Sequence, residues 1–164
     1  MKFRANLKRL ELFPRAGTKA VDQYVQGLIE DAAKVWLDAA LAIVPSWSGA
    51  SRATFEALAS AVQYKVDIDV KDTAPDRIAL GRLFSSGGVQ KVGTGHWEFY
   101  YQTRLEYLIA NETKNVKAGE YGLIGKTIVP TPYQFREAGA RAVEKYISSV
   151  ETEAVFNLIE LRGK

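Results

Sequence analysis

The chain has 164 residues, of which 47% are apolar and 25% charged, with no cysteine and a net charge of +3. This is the composition of a globular protein long enough to bury one core, and it predicts a single domain over residues 1–164. The lack of cysteine excludes disulfides, thiol catalysis and thiolate metal sites. The sequence contains no apolar run of about 18 residues, so we expect no membrane span.

The first element is a short strand with a strong positive charge around it. Residues 3–7 alternate between apolar and polar, which predicts a strand. Residues 1–19 contain six basic residues and one glutamate, a net +5 that leaves −2 for the remaining chain. Such an arm can contact nucleic acid, an acidic membrane or an acidic partner, or it is a solvated edge strand whose charges prevent aggregation, which we favour. If the arm contacts DNA, the candidate residues are Lys2, Arg4, Lys8 and Arg9.

Apolar residues then recur every three or four positions over 18–44, which predicts a long helix that ends before Pro45. Residues 46–51 are predicted as a turn, and one more helical face lies between Phe55 and Val62. Apolar and polar residues alternate without interruption over 62–71, which predicts a half-buried strand.

The next segment, 72–95, is mixed. Ile78, Leu80 and Leu83 predict packing from a short helix. Two glycine-rich stretches around 85–95 predict a hairpin and a mobile loop, which leads into an aromatic strand at 96–103. In that strand Trp97, Phe99 and Tyr101 share one face.

Residues 104–112 fit either a strand or a helix. A long glycine-containing loop is predicted at 113–130, and such loops are usually functional or disordered. Thr131, Pro132 and Gln134 then form the pattern of a capping box that opens a helix to about residue 150. The tail at 155–161 extends this helix or adds an edge strand. The predicted fold is α+β, with a small antiparallel or mixed sheet packed against the long helix and the C-terminal helix.

Reactive groups are scarce in this chain. His96 is the only histidine, and its place at the start of a strand favours an exposed structural residue over a catalytic base. Asp67 and Asp69 share one face of their predicted strand, but flanking lysines make charge pairing the plainer interpretation.

Two further motifs are weak. The segment 122–127, GLIGKT, resembles the end of a phosphate-binding loop but has Glu120 where that motif needs glycine. Glu98 and Glu106 would form a glycosidase pair only if the fold brought them to the required spacing. We therefore predict no catalytic, cofactor or metal site.

The order of elements resembles the tail-completion, or head–tail joining, proteins of tailed bacteriophages. A short strand precedes a long alanine-rich helix, which ends in a Pro-x-x-Ser/Thr-Gly turn followed by a basic residue, here Pro45, Ser48, Gly49 and Arg52. An aromatic strand runs into residues 107–112, and a proline-led helix from Pro132 closes the domain. The family's turn commonly has an acidic residue and Thr where this chain has Trp47 and Ser48, and residues 72–92 resemble an insertion.

The resemblance implies a ring in the neck of the virion, without catalysis or cofactor. The ring would be six-fold, or else twelve-fold, and would contact itself, neighbouring connector and tail proteins, and possible packaged DNA. The protein would be assembled in the host cytoplasm into the virion, as an adaptor, stopper or tail terminator. The interface candidates are Trp47, Tyr100, Tyr107, Lys114, Lys117, Tyr121 and Lys126.

Two alternatives remain at this point. One is a small nucleic-acid-binding module that uses the basic arm and stacked aromatic residues such as Tyr100 and Tyr107. The other, lower in rank, is an enzyme that degrades cell walls, for which size and basic charge are suitable.

Overall fold

The computed structural model describes residues 2–7, 18–44, 49–68, 75–105, 108–109, 134–150 and 154–159, with the backbone alone at 2–7, 18 and 154–159. The fold is α+β, as predicted. The strands are β1 (Lys2–Leu7), β2 (Ser85–Gly93), β3 (His96–Thr103) and β4 (Ala154–Ile159). The helices are α1 (Thr18–Ile43), α2 (Ala50–Ala53), α3 (Glu56–Ala61), α4 (Pro75–Leu83) and α5 (Phe135–Ser149).

The four strands form one antiparallel sheet in the order β2-β3-β1-β4. Phe3 of β1 lies opposite Phe99 of β3 and opposite Leu158 of β4. Within the hairpin, Val89 of β2 lies opposite Phe99. The second of the two predictions for the tail, an edge strand, is therefore confirmed. The favoured interpretation of the basic N-terminal segment as an edge strand is wrong, because β1 lies between β3 and β4.

The helices cover one face of the sheet. Helix α1 packs against β1 and β3, α3 packs against β2, and α5 packs along α1. Between them lies an aromatic core cluster, in which Phe55 stacks on Tyr101 with ring centroids 4.8 Å apart and planes 4° apart. The other members of this cluster are Trp36, Phe99 and Phe135, all fully or almost fully buried. We use the name open face for the opposite side of the sheet, against which none of these described helices packs.

The predicted strand at 62–71 is wrong over its described residues. Residues 62–63 form a turn in which Gln63 has a φ of 55°, and residues 64–68 pair with no strand in the part of the chain that the structure describes. The alternation is nevertheless real, because Tyr64 and Val66 pack against the core while Lys65 and Asp67 are exposed. An extended segment lying on helices buries every second residue as a strand does, so the pattern cannot tell the two apart.

Two predicted boundaries are also wrong. Helix α2 begins at Ala50, inside the predicted turn at 46–51. The C-terminal helix begins at Phe135, three residues later than the predicted capping box requires. Gln134 has a left-handed φ of 50° and makes no side-chain capping bond. The buried ring of Phe135 fixes the first turn of α5, so core packing and not a polar cap sets this boundary.

The hairpin prediction is confirmed, but the loop prediction for 85–95 is wrong over residues 85–93, which form β2. Gly87 and Gly88 lie inside the strand. A Cβ at Gly87 would come within 2.8 Å of Leu58, so the glycine lets α3 pack directly on the sheet. The predicted loop at 113–130 lies outside the described residues.

Candidate assembly surface

The aromatic strand supplies the core more than the surface. Phe99 and Tyr101 are buried in the aromatic core cluster and Trp97 is half-buried against it. Phe135 at the start of α5 is buried too. The face shared by Trp97, Phe99 and Tyr101 is therefore the face that packs on the helices.

Tyr100 is the predicted interface residue whose side chain the structure describes. It lies on the open face, half-buried, with its ring over Gly88, where a Cβ would meet ring atoms at 3.5 Å. The backbone of Lys2 and Arg4 lies in β1, beside β3. The remaining predicted interface and DNA-contact residues lie outside the described residues, namely Trp47, Tyr107, Lys114, Lys117, Tyr121, Lys126, Lys8 and Arg9.

A buried carboxylate lies at the centre of the open face. Glu98 is only 1% exposed, and Gln90 Nε2 donates a hydrogen bond to its Oε1 at 2.5 Å. Gln90 belongs to β2, on one side of β3. On the other side of β3, the strand register places Arg4 of β1 opposite Glu98. A buried carboxylate is stable only beside a compensating charge or hydrogen bonds, and the amide of Gln90 supplies one such hydrogen bond.

The other candidates for chemistry are not assembled into a site. His96 is exposed at the start of β3. Asp67 is exposed on the extended segment, while Asp69 and Glu106 lie outside the described residues. Within the described ranges, no group of three or more histidine, aspartate or glutamate residues could hold a metal ion.

The tip of the β2–β3 hairpin is fixed to α1. Asp22 accepts a hydrogen bond from the backbone N–H of Gly95 at 2.7 Å and forms an ion pair with Lys91. The Lys91 ammonium and the Gly95 amide lower the pKa of the Asp22 carboxyl, since both stabilise its charged form. This attachment holds the hairpin against the body of the protein.

Arg52, the basic residue that follows the Pro-x-x-Ser/Thr-Gly turn, makes structural hydrogen bonds. The Arg52 guanidinium donates to the carbonyl oxygens of Leu41 at 3.3 Å and of Asp67 at 3.0 Å. It thereby places a cation at the C-terminal end of α1, where the helix dipole favours one, and fastens the extended segment 64–68 to that end.

Helix α4 is held to the body by one close contact and one ion pair. A Cβ at Gly81 would collide with the carbonyl of Ala50, so the bare glycine lets α4 lie directly on α2. The next residue, Arg82, donates to both carboxylate oxygens of Glu56 at 2.5 and 3.0 Å. These contacts decide which side of α4 faces inward.

The outward side of α4 is apolar. Leu80, Leu83 and Phe84 are 40%, 74% and 41% exposed, and their spacing places them on one side of the helix. We call these three residues the α4 apolar patch. The Phe84 carbonyl accepts from the Arg104 N–H at 2.7 Å, which fixes the patch at the beginning of β2.

The predicted short helix is present as α4, but the prediction that Leu80 and Leu83 pack inward from it is wrong. Gly81 was the signal that could have prevented the error, because a glycine inside a helix often marks the side that closely approaches another backbone.

Comparisons with known proteins identify no relative, since no family model, no curated protein and no solved structure matches the chain. In the described part of the chain, no helix is long and apolar enough to span a membrane.

Proposed function

We propose that this chain is a structural protein of the neck of a tailed bacteriophage, which joins head and tail as a ring-forming adaptor, stopper or tail terminator. The proposal places it in the virion after assembly in the host cytoplasm. Its partners are further copies of itself, in a six-fold or otherwise twelve-fold ring, and the neighbouring connector and tail proteins.

The α4 apolar patch is the observation on which the proposal depends. Large apolar side chains that lie together on a rigid element are typical of a surface that is buried in an assembly. A ring needs interfaces between two different surfaces of each subunit, so that every copy offers one surface and receives the other. The patch, fixed by Gly81 and Arg82, supplies one such surface.

The first test measures self-association. Native mass spectrometry of the purified protein at about 10–100 µM should detect a closed oligomer, and Leu83→Asp should shift the population to monomer, because it places a charge in the apolar contact. Ala42→Asp is the matched control, since residue 42 is an exposed position on α1 and receives the same charge. An oligomer that survives Leu83→Asp would show that the patch is not the interface.

The second test addresses the place of the protein in the virion. Disruption of the gene in its phage should yield full heads and complete tails that fail to join, and supply of the wild-type gene in trans should restore infectious particles. Normal particle yield without the gene would contradict the proposed function.

A nucleic-acid-binding module is the second candidate, because Lys2 lies opposite Tyr100 on the open face. A base could stack on the tyrosine ring while the lysine contacts phosphate. Binding of a fluorescent single-stranded oligonucleotide should then weaken steeply with salt and be lost in Tyr100→Ala. Tyr24→Ala, an exposed tyrosine on α1, is the control.

A further inference from the structure

We propose that the outer edge of β2 pairs with the outer edge of β4 in a second copy of this chain, so that one sheet continues from molecule to molecule. This inference rests on the proposed self-assembly and names the two surfaces that meet. It follows from the sheet topology, the charges and the position of the α4 apolar patch.

The topology provides two edges of opposite kind. In the order β2-β3-β1-β4, the outer strands β2 and β4 each have one strand neighbour in the part of the chain that the structure describes. The bulge between Lys91 and Gly93 interrupts only the end of β2, which leaves its first seven residues regular. That length is sufficient for the six residues of β4.

The strand directions are compatible with head-to-tail addition. Each strand is antiparallel to its neighbour, so β4 runs opposite to β2 within one molecule. When a second copy is added in the same orientation, its β4 meets β2 as one more antiparallel strand, the more stable kind of pair. Such an interface uses two different surfaces and closes into a ring if the rotation between copies allows it.

The two edges differ in charge. Residues 151–160 carry three glutamates and no basic residue, a net −3, whereas two of the basic residues of 75–93, Arg82 and Lys91, are paired with Glu56 and Asp22 within the molecule. Two copies of the acidic segment repel each other, so pairing of β4 with the nearly neutral β2 segment is favoured over pairing of β4 with a second β4.

The α4 apolar patch lies where the incoming strand would end. Because the pairing is antiparallel, the first residues of β2 meet the last residues of β4, which are Leu158 and Ile159 in the sequence AVFNLI. Leu83 and Phe84 immediately precede β2. A strand added at this edge gains backbone hydrogen bonds along its length and apolar contacts at its end.

Engineered cysteines test the pairing, since the natural chain contains none. Ser86 is exposed on the open face, and the register places Asn157 and Ile159 on the same face. Two double variants are oxidised, Ser86→Cys with Asn157→Cys and Ser86→Cys with Ile159→Cys. Within one molecule these positions are three strands apart, about 14 Å. That is too far for a disulfide, which needs Cα atoms within about 7 Å.

At least one double variant should give a ladder of covalent oligomers on a non-reducing gel, with most of the protein cross-linked. Each single variant should stay monomeric. The matched control replaces Ser86→Cys by Gln102→Cys, which lies opposite Ser86 on the same face but in the inner strand β3. This control should not cross-link to either position of β4.

The alternative outcomes are distinct. Covalent dimers from Ser86→Cys alone would show a two-fold pairing of β2 with β2 and overturn the inference. An oligomer in native mass spectrometry with no cross-link in either double variant would overturn the inference and leave the proposed self-assembly intact. A protein that stays monomeric in both measurements at millimolar concentration would contradict both proposals.

Discussion

Two glycines inside helices show that the surroundings of a residue decide whether an added side chain stabilises or destabilises the fold. Gly139 of α5 is buried against the indole of Trp36, and a Cβ there would overlap the indole ring. In the described part of the chain, the buried Trp36 Nε1 has no hydrogen-bond acceptor, so the ring is held by packing alone. Gly27 of α1 has open space at its Cβ position.

Alanine at these two positions should therefore have opposite effects. Gly139→Ala should lower the free energy of unfolding by about 1–3 kcal/mol, because the core must shift to admit the methyl group. Gly27→Ala should raise it by roughly 0.5–1 kcal/mol, because alanine favours the helix and meets no obstacle. Urea unfolding followed by circular dichroism measures both, and equal effects would contradict this account of the α1–α5 contact.

Tyr64 makes the free energy of unfolding depend on pH in the alkaline range. Its hydroxyl donates to Asp38 Oδ1 at 2.5 Å, and this bond, followed by burial and the Asp38 charge, raises the pKa of Tyr64 from 10.0 to about 12. The folded state holds the phenol proton more tightly than the unfolded state does. The contribution of the Tyr64 hydroxyl to the free energy of unfolding is therefore complete below pH 10 and is lost as the pH rises from 10 towards 12.

In urea unfolding, Tyr64→Phe should be less stable than wild type at pH 8, and the difference should shrink as the pH approaches 12. Asp38→Asn removes the charge and the strong acceptor and should reduce the same pH-dependent component. A difference between wild type and Tyr64→Phe that stays constant across this range would exclude the phenol as its source.

At the scale of elements, ties between distant segments hold the hairpin and the helices in place. The β2–β3 hairpin is attached to α1 through Asp22, and α4 is attached to α3 through Arg82 and Glu56. The Asp22 tie joins segments more than 70 residues apart in the chain. It restricts the tip of the hairpin, which would otherwise fray at its exposed turn.

Asp22→Ala should speed hydrogen exchange at the Gly95 amide by roughly tenfold, because the amide loses its acceptor. The centre of α1 should keep its protection. Asp31→Ala is the control, since Asp31 forms an exposed ion pair with Lys34 on its own helix. Unchanged exchange at the hairpin tip in Asp22→Ala would show that the turn is held without this carboxylate.

The Asp22 carboxylate also makes the free energy of unfolding depend on pH in the acidic range. Because the folded state lowers the pKa of Asp22 below its ordinary value of 3.8, the stabilisation is present above that value. It is lost as the pH falls through the lowered value, and Asp22→Asn should lack this part of the acid transition.

For the whole molecule, the structure has an asymmetric surface. Helices cover one side of the sheet, β2 and β4 are its outer strands, and the α4 apolar patch lies beside the beginning of β2. A molecule with two different complementary ends is suited to head-to-tail assembly.

Assembly makes stability depend on concentration, because association favours the folded state. The melting temperature of the wild-type protein should therefore rise between about 1 and 100 µM. Leu83→Asp should remove this dependence, whereas Ala42→Asp should keep it. A melting temperature independent of concentration in the wild type, measured by differential scanning fluorimetry, would count against self-association in solution.

The sequence by itself determined the long helix and two of the strands. The three-to-four residue repeat of α1 and the two-residue alternation of β1 and β3 predicted these elements, and the structure contains them. The α+β class followed from these elements.

Only the tertiary structure decided what packs against each element. Residues 64–68 alternate like a strand but lie on helices, and α5 begins where Phe135 enters the core. The open face buries Glu98, and Gly81 turns Leu80 and Leu83 outward. These outcomes depend on contacts between residues distant in the chain, and a local pattern reports how many sides of a segment are buried but not by what.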